Sequence, residues 1–449
     1  MCSSDLHSYV VNASWFALSS LMANQLALSV ASNNIANAGD PDYPRRRLLT
    51  APAGSDGGTL GIRRCVDVVG VEAIRNDLVE TRLRQETAAK SGAETLAEGL
   101  KNIENVFNDA NGSGLLDSLT NFFNSFQPLS QDPSSLNFRE QLKLNANALV
   151  NAFHTRSSDL TQIKSSADKA ISADLDQINS LAKQIADLTM EIKSEDITHP
   201  VPDLRDRRAA LVKQLSTYVD INEVESGTDY QITTKNNRLL VFNNTAWSIT
   251  AADVDSSIGK GSLRSALDIR DTYVPKYLGA LDQLAYEITQ RVNAIHSAGY
   301  DLNGNTNINF FAPLVLATDA ARLITLDPAV AADTREIAAS TYGSGTENGV
   351  ALQLGNLLHD PVFSGGSVTD QYGNLIYAIG TDSSSAQSSA TEHDGLLTQL
   401  QNRRQSFSGV SIDEESMQIL QFKRAYEASA RVIQVVDELL KTTLNIGAA

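Results

Sequence analysis

The sequence predicts a mainly α protein with β-rich parts: N- and C-terminal coiled-coil helices pairing into a stem, a long helical bundle domain with a small β element, and a small mixed or β-rich insert domain. Three observations carry this expectation. Apolar residues recur in alternating steps of three and four near both termini and through the middle of the chain, the spacing that keeps one helix face dry. Two short apolar runs flank the turn-prone pair Asn236-Asn237. After Tyr300 the periodicity fades while Gly, Asn, Ser and Asp rise. A chain of 449 residues that is 42% hydrophobic has core material for several domains, which argues against global disorder.

Near the start, Leu18, Leu21, Gln25, Leu28, Ser32 and Ile35 keep a heptad spacing. That helix is expected to end at Asn37-Ala38-Gly39-Asp40-Pro41, with Gly39 as its cap and Pro41 blocking another turn. Further helices are expected at 72–107, 115–126 and 137–153. From Ile171, the series Leu175, Ile178, Ala182, Ile185, Thr189, Ile192 marks a heptad seam, and with the helical residues before it the helix is expected to run about 40 residues, roughly 60 Å. It stops before His199-Pro200-Val201-Pro202, where prolines forbid continuation. A helix over 204–218 precedes a hairpin at 230–234 and 239–242. The seam Leu278, Leu281, Ala285, Ile288, Val292, Ile295 closes at Gly299, and 383–389 reads as a solvated loop. The last helix opens at Ser411 with Asp413, Glu414 and Glu415 in its first turn, where the helix dipole favours acids. Its seam is Ile412, Glu415, Ile419, Phe422, Tyr426, Ser429, Ile433, Val436, Leu440 and Thr443. The expected division is a terminal core helix at 7–45, a helical rod at 46–218, a β element at 219–265 and a return helix at 266–300. The insert follows at 301–394, then a return to the rod at 395–410 and the C-terminal core helix at 411–449.

The charge balance, 53 acidic against 36 basic side chains for a net −17, repels phosphate, so nucleic acid is not a default partner. No run approaches the roughly 20 apolar residues that span a bilayer. The N-terminus lacks the basic flank, apolar stretch and small-residue cleavage site of a secretory signal. Cys2 and Cys65 are too few for a disulfide framework or a zinc site. The histidines His7, His154, His199, His296, His359 and His393 fall in no metal-ligand spacing, so no metal is expected. Asp301-Leu302-Asn303-Gly304-Asn305 is loosely like a calcium loop, but Thr306 stands where glycine is needed and Ala312 where the bidentate Glu belongs, so a polar turn is expected. Gly259-Lys260-Gly261-Ser262 lacks the first glycine of a phosphate loop, and Gly343-Ser344-Gly345 reads as a loop. Nothing pairs a nucleophile with a base, and neither an enzyme nor a cofactor is expected. Pro44-Arg45-Arg46-Arg47 and Arg63-Arg64 form a basic patch suited to acidic neighbouring subunits.

The terminal seams admit two readings. They are ordinary parts of one helical bundle, or they pair with each other and with neighbouring subunits, so that assembly completes their burial and the free chain has frayed ends. Gln25-Leu26-Ala27-Leu28 followed by Ser32-Asn33-Asn34-Ile35-Ala36-Asn37 resembles the N-terminal signature of bacterial flagellar axial proteins. Gly409-Val410-Ser411-Ile412-Asp413-Glu414-Glu415 with Tyr426-Glu427-Ala428-Ser429-Ala430-Arg431-Val432-Ile433 resembles their C-terminal signature. Three internal segments narrow the likeness to the hook-associated protein 1 (FlgK) family. They are Asp203-Leu204-Arg205-Asp206-Arg207-Arg208, then Ser262-Leu263-Arg264-Ser265-Ala266-Leu267-Asp268-Ile269-Arg270-Asp271, and Gly299-Tyr300-Asp301-Leu302-Asn303-Gly304-Asn305 with Phe310-Phe311. Residues 312–395 lie outside the resemblance.

What the resemblance implies is a structural junction protein that joins hook to filament by coiled-coil packing of its terminal helices in a tubular homo-oligomer. It implies hook protein and hook-associated protein 3 as partners, an export chaperone on the C-terminal helix, an extracellular place in the flagellum and export without a cleaved signal. The motif residues carried over are Asn33, Asn34, Ile35, Ala36, Asn37, Tyr43 and Arg45. Asp42 stands where the family usually has glycine, which predicts an altered turn if that glycine takes a positive φ. The alternatives are another axial protein (hook-associated protein 3, hook or rod protein), a coiled-coil adaptor unrelated to flagella, and an enzyme or ligand-binding insert on a helical scaffold.

Overall fold

The computed structural model describes residues 3–52, 66–108, 114–195, 201–226, 229–255, 257–343 and 347–447, and side-chain statements concern 13–442. Cys2, Cys65, Arg63-Arg64, His199 and part of Gly343-Ser344-Gly345 lie outside the described residues, as does the side chain of His7. The chain opens with helix α1 (Ser3–Ala36), followed by the antiparallel hairpin β1 (Arg46–Pro52) and β2 (Val66–Ala73) and by α2 (Asp77–Val106). Helices α3 (Leu115–Asn124), α4 (Phe126–Gln131), α5 (Leu136–Glu195) and α6 (Pro202–Tyr218) come next. Strands β3 (Ile221–Ser226), β4 (Asp229–Thr234), β5 (Leu239–Phe242) and β6 (Thr245–Ala246) form an antiparallel meander. Then follow α7 (Ser262–Asp268), α8 (Val274–His296), the short α9 (Ala320–Leu323), α10 (Pro328–Ala332) and α11 (Gly349–Asn356), and the long α12 (Val368–Ser408) and α13 (Ile412–Gly447). The fold is mainly α with two small antiparallel sheets.

Contacts divide the chain into two compact units. One comprises Met1–Thr87, Ile178–Ser248 and Asp394–Ala449, the other Ala88–Gln177 and Ile249–His393. In the first, α1 and α13 run antiparallel: the Ser20 and Ser429 hydroxyls lie 3.0 Å apart, and Asn34 meets Glu415. The hairpin β1–β2 packs on α1. In the meander, Tyr230, Ile232 and Thr234 of β4 are buried on one face while their neighbours are exposed or half-exposed, the period of two expected of a half-covered strand. The turn between β4 and β5 places Asn237 at φ 62°, a left-handed conformation that Asn adopts at low cost.

The second unit is built on one apolar core. Phe122, Phe123, Phe126, Phe310 and Phe311 are fully buried, with Phe122 within 5.6 Å (ring centres) of each of the others. Helix α8 contributes Tyr277, Leu281, Ala285, Ile288 and Val292, at the expected spacing. Between α7 and α8 the helix makes one π turn, Ile269–Tyr273, where the Val274 N–H donates to the Ile269 carbonyl. Pro275, which lacks an N–H, follows directly. Among the described residues, 301–343 and 347–367 carry the short α9, α10 and α11 and a 3-10 turn at Thr334–Glu336, with isolated bridges such as Ser340 to Tyr300.

Several local expectations are corrected. Residues 46–52 and 66–73, expected within a helical rod, are antiparallel strands, and Glu72 pairs with Arg47 there. Helix α2 starts only at Asp77, because Asn76 caps it through a 3.2 Å bond accepted from the Val79 N–H. The helix at 137–153 and the later seam are one helix, α5, of 60 residues. No Gly or Pro falls between Leu136 and Glu195 to interrupt it. The solvated loop at 383–389 is helical. Val368, Tyr372, Leu375, Ile379, Ser383, Ala386 and Ala390 bury one face of α12 at steps of four and three, a pattern hidden by its small and polar members. Gly39 takes no positive φ, and hydrogen bonds to the Asn33 and Ile35 carbonyls close the end of α1 instead.

Candidate functional site

The site begins with how α1 and α13 touch. On α1 the most buried side chains are small: Ala17, Ala23, Ala27 and Ala31, with Val30 and Asn34. Small residues let two helix backbones approach, which a leucine stripe would prevent. Of the expected α1 seam, Leu18 is exposed, while Leu21, Leu28 and Ile35 are half-buried on the flanks. On α13, Ile419, Phe422, Tyr426, Ile433 and Leu440 are half-buried, Val436 is buried, and Ile412 is 55% exposed. Apolar side chains remain in solvent on both helices: Trp15, Met22 and Leu26 on α1, and Met417, Leu420 and Val435 on α13.

Where α1 ends and α13 begins, a polar clasp closes over Asn34, which is 1% exposed. Its Nδ2 donates to Glu415 Oε2 at 3.0 Å and to the Arg46 carbonyl at 2.8 Å. Its Oδ1 accepts from the Arg46 N–H at 3.0 Å and the Tyr43 hydroxyl at 3.1 Å. All of its hydrogen-bonding capacity is used, the condition under which a buried amide is tolerated. Glu415, fully buried, accepts 2.7 Å from Arg45 Nε, while Arg45 Nη1 reaches Glu414 at 2.7 Å. The Arg45 N–H donates to the Ser408 carbonyl at 2.8 Å, tying the loop after α1 to the turn before α13. Of the other motif residues, Asn33 and Asn37 face solvent, and Asn37 Nδ2 donates to the Asn33 carbonyl at 2.8 Å. Ala36 is exposed at the helix end.

A second layer of charge surrounds the clasp. Arg46 donates 2.6 Å bonds to both Asp203 and Asp206, and Asp206 also takes Arg75. Asp42 accepts from Lys213 at 2.7 Å and Arg404 at 2.8 Å, and Arg404 Nε holds Glu80 at 2.8 Å. Burial alone would raise the Asp42 carboxyl, but the hydrogen bonds from Lys213 and Arg404 outweigh it and hold the group below the usual carboxylate range. Burial pushes the Tyr43 hydroxyl up, so it stays a donor to Asn34. For Arg46, desolvation works against the charge, yet the bonds to Asp206 and Asp203 prevail and raise its pKa. These residues line a cleft of about 530 Å³.

The basic run Arg45-Arg46-Arg47 therefore meets acids of its own chain: Glu414 and Glu415, Asp203 and Asp206, and Glu72. This corrects the expectation of acidic neighbours. The expectation of an altered turn at residue 42 also changes, because Asp42 has no positive φ and is held by two cations. Three segments singled out in the sequence, 33–45, 203–208 and 409–415, converge here. Sequence reasoning missed Arg75, in the connection before α2, and the helical Lys213, Arg404 and Glu80, whose only signal was charge at otherwise ordinary surface positions.

The remaining polar features are structural. Asp301 Oδ1 accepts the Asn303 and Asn305 N–H groups at 2.8 and 2.7 Å, so its carboxylate closes its own turn. The buried His296 Nδ1 donates to the Ile308 carbonyl at 2.8 Å while Nε2 accepts the Ala338 N–H at 2.8 Å, and burial pulls its pKa down to about 4. Among the described residues no cluster of three or more His, Cys, Asp or Glu is placed to hold a metal, and no helix is long and apolar enough to cross a membrane. The clasp sets donors against acceptors and holds segments together; it presents no nucleophile beside a base.

Comparison with known proteins gives the arrangement a context. Residues 100–256 and 247–311 match the family described as flagellar hook-associated protein FlgK helical domain, and 401–446 match flagellar basal body rod FlgEFG protein C-terminal. The chain is 27% identical to flagellar hook-associated protein 1 of Bacillus subtilis, covering 95% of this chain and 96% of that one. It is 26% identical to the protein of that name from Escherichia coli, over 96% and 98%. A solved structure, the flagellar hook junction protein FlgK from Burkholderia pseudomallei, superposes with a TM-score of 0.64 at 16% identity, covering 73% of this chain and all of that one. That likeness concerns the fold.

Proposed function

This chain belongs to the flagellar hook-associated protein 1 (FlgK) family, and on that premise we propose that it is a structural junction piece joining hook to filament in the bacterial flagellum. The single observation that carries the mechanism is the unfinished burial of its paired terminal helices. Helix α1 has no charged residue between Ser8 and Gly39, and Trp15, Met22 and Leu26 still face solvent. A helical stretch that keeps apolar side chains on its outer face and carries no charge is suited to burial against a neighbour. Helix α13 pairs exposed Met417, Leu420 and Val435 with Lys423, Arg424, Glu427 and Asp437, so one flank suits a neighbouring helix and another suits water.

In this reading Leu18, Leu21, Leu28 and Ile35 with Ile412, Ile419, Phe422, Tyr426, Ile433, Val436 and Leu440 form the assembly seam. The motif residues Asn33, Asn34, Ile35, Ala36, Asn37, Tyr43 and Arg45 form the foot that orients it. The terminal segments 7–45 and 411–449 act as the stem. Partners are further copies of this chain in a ring or tube, hook protein below, hook-associated protein 3 above, and an export chaperone on the C-terminal helix before assembly. Its place is extracellular, at the hook–filament junction, reached by the flagellar export route without a cleaved signal. Family members are structural flagellar proteins, and we read no catalysis here.

The C-terminal match to rod proteins keeps a second reading in view, another axial protein, but the helical-domain match over 100–311 favours the junction. The test is gold-labelled full-length chain added to isolated hooks and viewed by electron microscopy. Labelled hook tips that then accept hook-associated protein 3 support the junction. A folded chain that leaves hook tips bare overturns it.

A further inference from the structure

We propose that the buried clasp of Asn34, Glu415 and Arg45 sets the axial register of α1 against α13. The apolar contact between these helices cannot do so alone. Its α1 face is mostly Ala17, Ala23, Ala27 and Ala31, with Val30, interspersed with Ser20 and Asn24 and flanked by half-buried Leu21 and Leu28. Sliding α1 by one heptad puts Ala13 or Ala27 where Ser20 stood, and Ser20 or Asn34 where Ala27 stood. Most of those exchanges place small residues against the same half-buried face of α13. Side chains this short fill no particular hole, so several registers bury similar surface.

The clasp distinguishes those registers sharply. One heptad is a slip of about 10 Å at 1.5 Å per residue, several times the reach of a hydrogen bond. It would carry Asn34 away from Glu415, whose carboxylate is closed to solvent and is met by Asn34 and Arg45. The other side of the clasp does not follow the slip, because the Arg45 N–H is held by the Ser408 carbonyl, immediately before α13. The Asn34 amide also exchanges two bonds with the Arg46 backbone, and these would be strained or broken. Losing one partner of a buried charge costs far more than shifting small apolar contacts, and register selection is the best-attested use of such a group. Since α1 and α13 are antiparallel, fixing Asn34 opposite Glu415 also places Ser20 opposite Ser429, and so decides which exposed residues of the two helices stand level. Any docking partner reads that composite face.

The experiment is site-directed disulfide formation in the dilute full-length chain with Cys2 and Cys65 replaced by serine. The in-register probe is Ser20→Cys with Ser429→Cys; the slipped probes are Ser20→Cys with Phe422→Cys or with Val436→Cys. With the clasp intact, oxidation is expected to join only the first pair. In Asn34→Leu/Glu415→Leu, which replaces the clasp by apolar side chains, one or both slipped probes are expected to form as readily as the first. If the first pair remains the only product in that variant, register is set elsewhere and the proposal falls. If none of the three probes forms, the clasp holds the helices together rather than in register, and the proposal also falls. The readout concerns one chain, so it stands apart from whether hook tips bind it.

Discussion

Arg404 Nη1 donates a 2.8 Å hydrogen bond to Asp42, joining the loop after the first helix to a residue 362 positions later. Lys213 reaches both oxygens of the same carboxylate, at 2.7 and 2.9 Å. Family resemblance marks residue 42 as a place for glycine, yet the aspartate is an anchor. Asp42→Gly is expected to lower stability by about 1 kcal/mol, the scale of a half-exposed ion pair with two partners. The difference from the parent protein should shrink in high salt, because exposed charges are screened. Thermal melts at 50 mM and 1 M NaCl check this; an unchanged melting point at low salt refutes it. Since the folded carboxyl lies below its unfolded value, its contribution is complete above the ordinary Asp range and fades as pH falls below it.

His296 predicts a separate acid sensitivity. Burial lowers its folded pKa from 6.5 to about 4, so the unfolded chain binds the proton more readily. Stability is therefore full above about pH 6.5 and is lost as pH falls through the interval toward 4, by about 3 kcal/mol at most. The urea midpoint followed from pH 7.5 to 4 should decline in the parent protein. In His296→Gln it should start lower and decline less steeply over that interval. Parallel curves would exclude His296 as the source.

Arg208 lies 3.7 Å above the centre of the Tyr230 ring and donates 2.6 Å to Glu225. A lysine would keep the charge but lose the flat stacking surface. Arg208→Lys is expected to cost about 1–2 kcal/mol, read as a reduced urea midpoint. A midpoint equal to that of the parent would show that charge alone suffices.

Leu420 is 58% exposed on α13 and supports nothing within the chain that its exposure would not already weaken. Leu420→Lys should leave the unfolding free energy of the free protein within about 0.5 kcal/mol of the parent. It should abolish binding to hook tips, scored by electron microscopy. Retained binding would show that the exposed apolar flank of α13 takes no part in docking.

How much was legible in the sequence depends on distance along the chain. The α13 seam could be read from Ile419 to Leu440 because helix periodicity is local, and the turn at Asn236-Asn237 because it needs only two residues with the right torsional tolerance. Helix α12 was partly missed because Ser383, Ala386 and Ala390 look like loop or surface residues until a core is placed against them. The hairpin of β1 and β2 was missed for a related reason: its register, Arg47 opposite Glu72, is a pairing rather than a pattern.

The sequence by itself determined the helical class, the incomplete dry stripes at both ends and the motif segments that point to flagellar axial proteins. Each is a short-range regularity of residue type and spacing. Only the tertiary structure decided that alanines, not leucines, form the α1 side of the helix pair. It alone showed that Asn34 spends its amide on Glu415, Tyr43 and Arg46, and that the basic run after α1 is neutralised within its own chain. The physical reason is that a polar side chain carries no label for its partner: its hydrogen bonds and charge are satisfied by whatever folding brings within about 3 Å, here residues up to hundreds of positions away.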